Sequence, residues 1–334
     1  MKGTTRYNFI DTAKFIGLIL VLFCHIPMPE RLFHSIIYSF HMPLFFLASG
    51  IFLKKDIKRV IFRGVKTLIF PYVLINILLI LCKSIIFCFW GFSFYDDIIS
   101  PLLGIIFATS DPEFTYRIPG GPSWFLISLF FSRIIACFTI NQTQIKQFII
   151  ISILLLFYFI LYHNFVYVLY CIDSAILGSI FVIIGFYLRR RVLNFPNFAT
   201  KKYFYSILLL LLLSPILACN GISNMFKGEY GNNIILFFVN GLVGSLLLLL
   251  LCSKINFQSN FLKIIIGGSI FFIVFHTFIM EYVMLIYKKI MFLLTKVPIL
   301  EVNIIEKCII TIITTLIIYL ILKVFKSKIP ILYR

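Results

Sequence analysis

The chain has 334 residues, of which 61% are hydrophobic and only 13% charged, and its mean hydropathy is +1.07. No water-soluble fold can cover that much apolar surface, so the composition excludes a soluble domain and indicates an integral membrane protein. The formal net charge of +18 does not point to nucleic acid, because the basic residues punctuate apolar runs as topology signals do. The eight cysteines are scattered through apolar runs, with no Cys-x-x-Cys pair and no zinc-type His/Cys spacing. They read as small buried hydrophobes, and no metal site is expected.

The apolar runs predict one all-α domain over residues 1–334 with about ten membrane-spanning helices. They lie near 9–27, 35–53, 67–90, 123–140, 147–162, 166–188, 203–219, 234–252, 263–287 and 304–325, the lengths a ~30 Å hydrocarbon core requires. A weaker run from Ile98 to Ala108 fits an interfacial or re-entrant helix. With a cytoplasmic N-terminus, 22 of the 30 basic residues fall on the cytoplasmic side and six on the other. That asymmetry places both termini inside.

The first run carries Asp11 and Lys14 and ends in His25-Ile26-Pro27. It lacks a small-residue cleavage site, so a retained helix is expected. Lys14 and His25 are 11 residues apart. At ~100° per residue this is about three turns, so both lie on one face, roughly 16 Å apart along the axis. Ionisable groups in a membrane are costly and mark function by default.

The second run begins Phe40-His41-Met42-Pro43-Leu44 and continues to Ser49-Gly50. A short 26–34 loop would set His41 across a tight turn from His25. Imidazole titrates near neutral pH and commonly serves as general base toward a hydroxyl; the alternative for each ring is a buried histidine bonded to a backbone carbonyl. Ser49 and Gly50 also suit close helix packing.

Arg63 and Lys66 sit one turn apart at the mouth of the third run. With Lys14 they make a basic cluster able to hold phosphates. Gly120-Gly121-Pro122 shapes the entry to the fourth run, where Trp124 stands. Later runs place Asp173, His276 and Glu281 within or near the membrane. A histidine at that depth must face protein or water. His34 and His163 read as solvated loop residues.

Taken together these residues resemble the acyltransferase-3 family of integral membrane O-acyltransferases, especially the bacterial branch that acetylates surface sugars. That family has a basic residue, ten residues and a histidine in its first helix, here Lys14 and His25, with lysine for the usual arginine. Phe40-His41-Met42-Pro43-Leu44-Phe45-Phe46 with Ser49-Gly50 is similar to its second-helix signature. Arg63-x-x-Lys66 before Pro71-Tyr72 is similar to its basic motif, with lysine for the second arginine. Trp124-Phe125-Leu126 and His276 also fall where the family has them.

The resemblance implies a ten-helix enzyme of the bacterial inner membrane that takes acetyl from cytoplasmic acetyl-CoA. The acceptor would be a glycan or an undecaprenyl-linked sugar reached from outside. It assigns His25, His41 and Lys14 to catalysis. Lys14, Arg63, Lys66 and Ser49 go to the donor, and Trp124, His276 and Glu281 to the acceptor. The competing readings are a polysaccharide flippase, polymerase or other transporter, and a structural subunit of a glycan-assembly complex. Polar residues concentrated in the first three helices favour the enzyme, since transporters more often divide theirs between two related halves.

Overall fold

The computed structural model describes residues 7–27, 31–87, 91–109, 115–163, 168–198, 200–213, 219–255, 259–296 and 301–328. Lys2, Arg6 and Arg334 of the charge count, and Cys88 of the eight cysteines, lie outside the described residues. The protein is an all-α membrane protein. Its helices are α1 (Asn8–His25), α2 (Arg31–Ile51), α3 (Ile57–Gly64), α4 (Phe70–Phe87), α5 (Ser100–Phe107), α6 (Trp124–Ile140) and α7 (Gln144–His163). They continue as α8 (Ile172–Leu193), α9 (Thr200–Leu213), α10 (Ile234–Cys252), α11 (Asn260–Gly267), α12 (Ser269–Thr295) and α13 (Ile304–Lys328).

Each of the ten expected segments carries helix. Among the described residues eight helical stretches are long and apolar enough to cross a membrane. Two segments fall outside that group. In α2 the residues Ser35, Tyr38, Ser39, His34 and His41 dilute the apolar run, although it has 21 residues. In α9 the described helix has 14. The weak run at 98–108 forms a π-helical turn (Tyr95–Ile99) leading into α5. The Tyr72 hydroxyl donates to the Ile105 carbonyl at 3.1 Å and ties α5 to α4.

Three expectations fail locally. α2 starts at Arg31, so the loop before it is shorter than expected and His34 is helical. Its ring is half-buried and stacks on Tyr38 at 4.1 Å. His163 is the last residue of α7 rather than part of a loop. Of the seven described cysteines, all free, Cys219 and Cys308 are exposed rather than buried.

Without water, a side-chain hydroxyl must find its partner inside the protein, most cheaply on its own helix. Ser84 donates to the Ile80 carbonyl, Thr311 to Lys307 and Thr315 to Thr311, each one turn back. Helix starts at the surfaces are capped: Asp56 accepts from the Arg59 N–H, Asn233 from Ile235 and Leu236, and Ser259 from Leu262.

α2 lies between α8 and α10 and packs most extensively on them. The α2–α8 crossing is very close. A Cβ on Gly50 would stand 2.1 Å from the Val182 carbonyl oxygen, and one on Gly185 would stand 2.2 Å from the Leu47 carbonyl oxygen. Gly50 is therefore a packing residue. Gly50→Val is expected to cost about 1–3 kcal/mol through overpacking. Thermal unfolding in detergent checks this against Gly121→Ala, whose Cβ meets nothing within 4 Å; a Gly50→Val midpoint as high as that control's contradicts the close crossing.

Candidate active site

Two cavities open toward opposite ends of a seam formed by α1, α2, α6 and α12. At the His25 end, a cavity of about 560 Å³ is lined by His25, His41, Lys83, Trp124 and Glu281, among others. At the Lys14 end, one of about 330 Å³ is lined by Lys14, Ser49, Thr67, Phe125 and Arg133, among others. Both sizes are ordinary for ligand pockets. Trp124 and Phe125 are consecutive, so one turn of α6 sends a ring to each cavity. Phe45 and Phe46 pack on Phe125 at 5.7 and 5.1 Å, making the aromatic partition of the seam.

The sequence placed His41 opposite His25, and both line the larger cavity. The ring in contact with His25, however, is His276: the two centroids are 5.1 Å apart. His41 instead packs edge-on to Tyr38 at 4.8 Å. The reason is geometric. α1 and α12 cross at this level, so a residue far along the chain reaches His25 first.

His276 is fully buried and does not line the cavity. Its Nδ1 lies 2.9 Å from the Phe272 carbonyl oxygen and 3.0 Å from that of Ile273. A carbonyl can only accept, so in the neutral ring Nδ1 carries the proton. The other nitrogen, Nε2, is then a lone pair, and it is buried with no hydrogen-bond partner among the described residues. His41 is fixed the same way, its Nδ1 donating to the Ile37 carbonyl at 2.9 Å. Each ring is thus bonded to its own helix through Nδ1, which leaves Nε2 as its chemically available atom.

The turn that delivers Trp124 is clamped. Asn76, fully buried on α4, accepts from the Gly120 N–H at 3.0 Å and donates to the Ser123 hydroxyl at 3.1 Å. Gly120 also lies against α12, where a Cβ would stand 2.7 Å from Val274. Side-chain bulk there would push apart the turn bearing Trp124 and the helix bearing His276. Lys83 donates to the Pro119 carbonyl at 3.3 Å, so its charge stands at the rim.

At the other end, Lys14 lies over the Phe52 ring at 5.6 Å. Its cationic neighbour in the cavity is Arg133, which the sequence had offered only as a topology charge. Arg133 is largely enclosed, and its Nε is buried without a hydrogen-bond partner among the described residues. Arg63 and Lys66 do not line this cavity. Both are exposed, Arg63 on the last turn of α3 and Lys66 in the π-helical turn Val65–Ile69. Arg63 is near enough for its charge to act on Arg133. The cationic group is therefore graded, from Lys66 and Arg63 outside to Arg133 and Lys14 within.

Residues 7–323 match the family model described as an acyltransferase domain, Acyl_transf_3. The chain belongs to the acyltransferase-3 family. It is a multi-pass membrane acyltransferase, and the transporter reading gives way to the enzyme. No curated protein and no solved structure matches the chain.

The acyltransferase's clamp is directly testable. Asn76→Leu keeps the volume but strips the Gly120 N–H and the Ser123 hydroxyl of their partner. A loss of about 1–3 kcal/mol is expected for the buried groups left unsatisfied, read as a lower unfolding midpoint in detergent. A midpoint equal to the wild-type value contradicts the clamp.

Proposed function

We propose that this acyltransferase carries acetyl from cytoplasmic acetyl-CoA to a sugar hydroxyl of a cell-surface glycan or its lipid-linked precursor, in a bacterial cytoplasmic membrane. The observation that supports it most is the placement of a cationic cavity and a histidine cavity at opposite ends of one seam. In this reading the Lys14 end faces the cytoplasm, as the charge asymmetry along the sequence favours.

The donor's phosphates would meet Arg63 and Lys66 first, then Arg133 and Lys14. A buried guanidinium nitrogen without a partner is costly, and an anion relieves that cost. Ser49 would add a hydroxyl to the same cavity. The pantetheine arm, roughly as long as the Lys14–His25 stripe, would pass the Phe45–Phe125 partition and bring the thioester to His25.

At His25 the acceptor hydroxyl loses its proton to the imidazole as its oxygen attacks the thioester carbonyl. The carbon–sulfur bond breaks, and the imidazolium returns the proton to the departing CoA thiolate. The products are the acetylated sugar and CoA–SH. His276 acts as a positioning residue: its ring, held to its own helix through Nδ1, packs on the His25 ring at 5.1 Å and limits how that imidazole can turn toward the cavity. His41 would orient the hydroxyl, with Trp124 and Glu281 on the acceptor side. General-base catalysis of this kind contributes about 10²–10⁴-fold.

Transfer of radiolabel from acetyl-CoA to membrane glycan tests the assignment. His25→Ala, inserted at wild-type levels, is expected to abolish transfer; full labelling in that variant removes His25 from the mechanism. Lys14→Ala and Arg133→Ala should each raise the KM for acetyl-CoA about tenfold or more, as loss of a charge-assisted contact does, with the acceptor KM unmoved. An unchanged donor KM in both would separate this cavity from the donor.

A further inference from the structure

A third cavity, of about 480 Å³, opens at the His25 end beside the first. Its walls carry Tyr158, Tyr162, Asp173, Tyr230 and Asn232, and Lys227 lines both this cavity and the one holding His25. The partition between them is a small hairpin, β1 (Ser223–Asn224) and β2 (Glu229–Tyr230), paired antiparallel. Residues 223–226 face the histidine cavity and 228–230 face the new one.

The hairpin is fixed rather than loose. The Ser174 hydroxyl donates to the Met225 carbonyl at 2.8 Å, and Phe226 stacks on Trp124 at 5.5 Å. Buried Asn220 donates to the Tyr230 carbonyl at 2.8 Å and accepts from the Asn233 N–H at 2.8 Å. A wall anchored on both flanks holds the two cavities in constant register.

The lining has a definite chemistry. The rings of Tyr158 and Tyr162 stack at 6.2 Å, and Tyr230 meets each of them edge-on, at 5.8 and 6.1 Å. Tyr158 and Tyr230 are buried, whereas Tyr162 is 44% exposed and offers its ring to an incoming molecule. Burial, the first cause, and a hydrogen bond with Tyr158 hold the Tyr230 phenol well above its ordinary pKa, so it stays neutral.

Asp173 stands in the first turn of α8, where a carboxylate complements the helix dipole. That role needs only an exposed side chain, yet Asp173 is 7% exposed and lines the cavity. Two consecutive left-handed residues precede it, Tyr170 at φ 63° and Cys171 at φ 49°. Such a conformation costs about 1–3 kcal/mol per residue and persists where the surroundings enforce it. Here it sets the start of α8, and with it Asp173, against the cavity.

Aromatic faces beside two carboxylates (Asp173 and Glu229), an amide and an ammonium suit a hydroxylated ring with apolar C–H faces and no negative charge of its own. We propose that this cavity is a second saccharide subsite, which binds a neighbouring sugar unit of the acceptor while the reacting unit occupies the cavity of His25. The ring of Tyr162 stacks on the sugar's C–H face. Asp173 and Asn232 hydrogen-bond its hydroxyls, and Lys227 sits at the junction between units. This rests on the glycan-acceptor reading for the identity of the ligand. It adds that the enzyme recognises more than one residue of the chain.

The test uses the full-length protein in nanodiscs and, as probe, oligosaccharides released by mild acid from the surface glycan of the source cells. Binding is read without acetyl-CoA by saturation-transfer NMR, and acetyl transfer is read separately with labelled acetyl-CoA. Tyr162→Ala, at a half-exposed site, and Asp173→Asn, which keeps shape, are expected to weaken oligosaccharide binding about tenfold each, or about 1.4 kcal/mol. The KM for acetyl-CoA should not move, and the single monosaccharide should bind both variants as it binds wild type. Equal oligosaccharide affinity in wild type and both variants overturns the subsite, as does an oligosaccharide that fails to bind wild type. If wild type binds the probe through Tyr162 but transfers no label to it, the subsite stands and the acetyl-acceptor reading falls.

Discussion

A histidine buried in a lipid-embedded bundle has no water to satisfy it, so its hydrogen bonds are fixed by the protein around it. His276 meets that requirement by donating Nδ1–H to the carbonyls of its own helix. The consequence is a ring of fixed tautomer and orientation packed against His25, on a helix from the opposite part of the sequence. The rest of the site depends on this contact. It joins α1 to α12, fixes which rings reach the cavity, and separates a residue that positions from one that reacts in the proposed chemistry.

The fold holds that contact through close approaches. Glycines let α2 press on α8, which steadies the helix bearing His41. Gly120 lets the turn before Trp124 lie on α12 two residues from His276, and Asn76 ties the same turn to α4. Four helices, of which only α1 and α2 are neighbours in sequence, thus meet around one seam. A cation group occupies one end of it and imidazoles the other, which is the arrangement a transfer across the bilayer requires if donor and acceptor approach from opposite sides.

Much of the fold was legible in the sequence because helix length and hydrophobicity are local properties. The Lys14–His25 stripe was legible for the same reason, since eleven residues on one helix settle its geometry. The partner of His25 was not. His41 is near in sequence and His276 is distant, and periodicity carries no information on which helices cross. Arg133 looked like one topology charge among many, because its enclosure is visible only once α6 packs. The mistaken loop at His34 came from setting the start of α2 by apolarity, when polar residues also fill its first turns. The Asn220-anchored hairpin and the tyrosine cavity left no signal in composition. Asp173 alone had stood out, as a carboxylate too expensive to bury without purpose.

The central claim is that the two ends of the seam serve different substrates on different sides of the membrane. It is tested most directly in sealed proteoliposomes of defined orientation. Labelled acetyl-CoA is supplied only at the face bearing Lys14 and Arg133, and acceptor glycan only at the face bearing His25. The account predicts labelled O-acetyl ester on the glycan under this arrangement and none when the two substrates are exchanged. Label that appears only when both substrates share one side would contradict it.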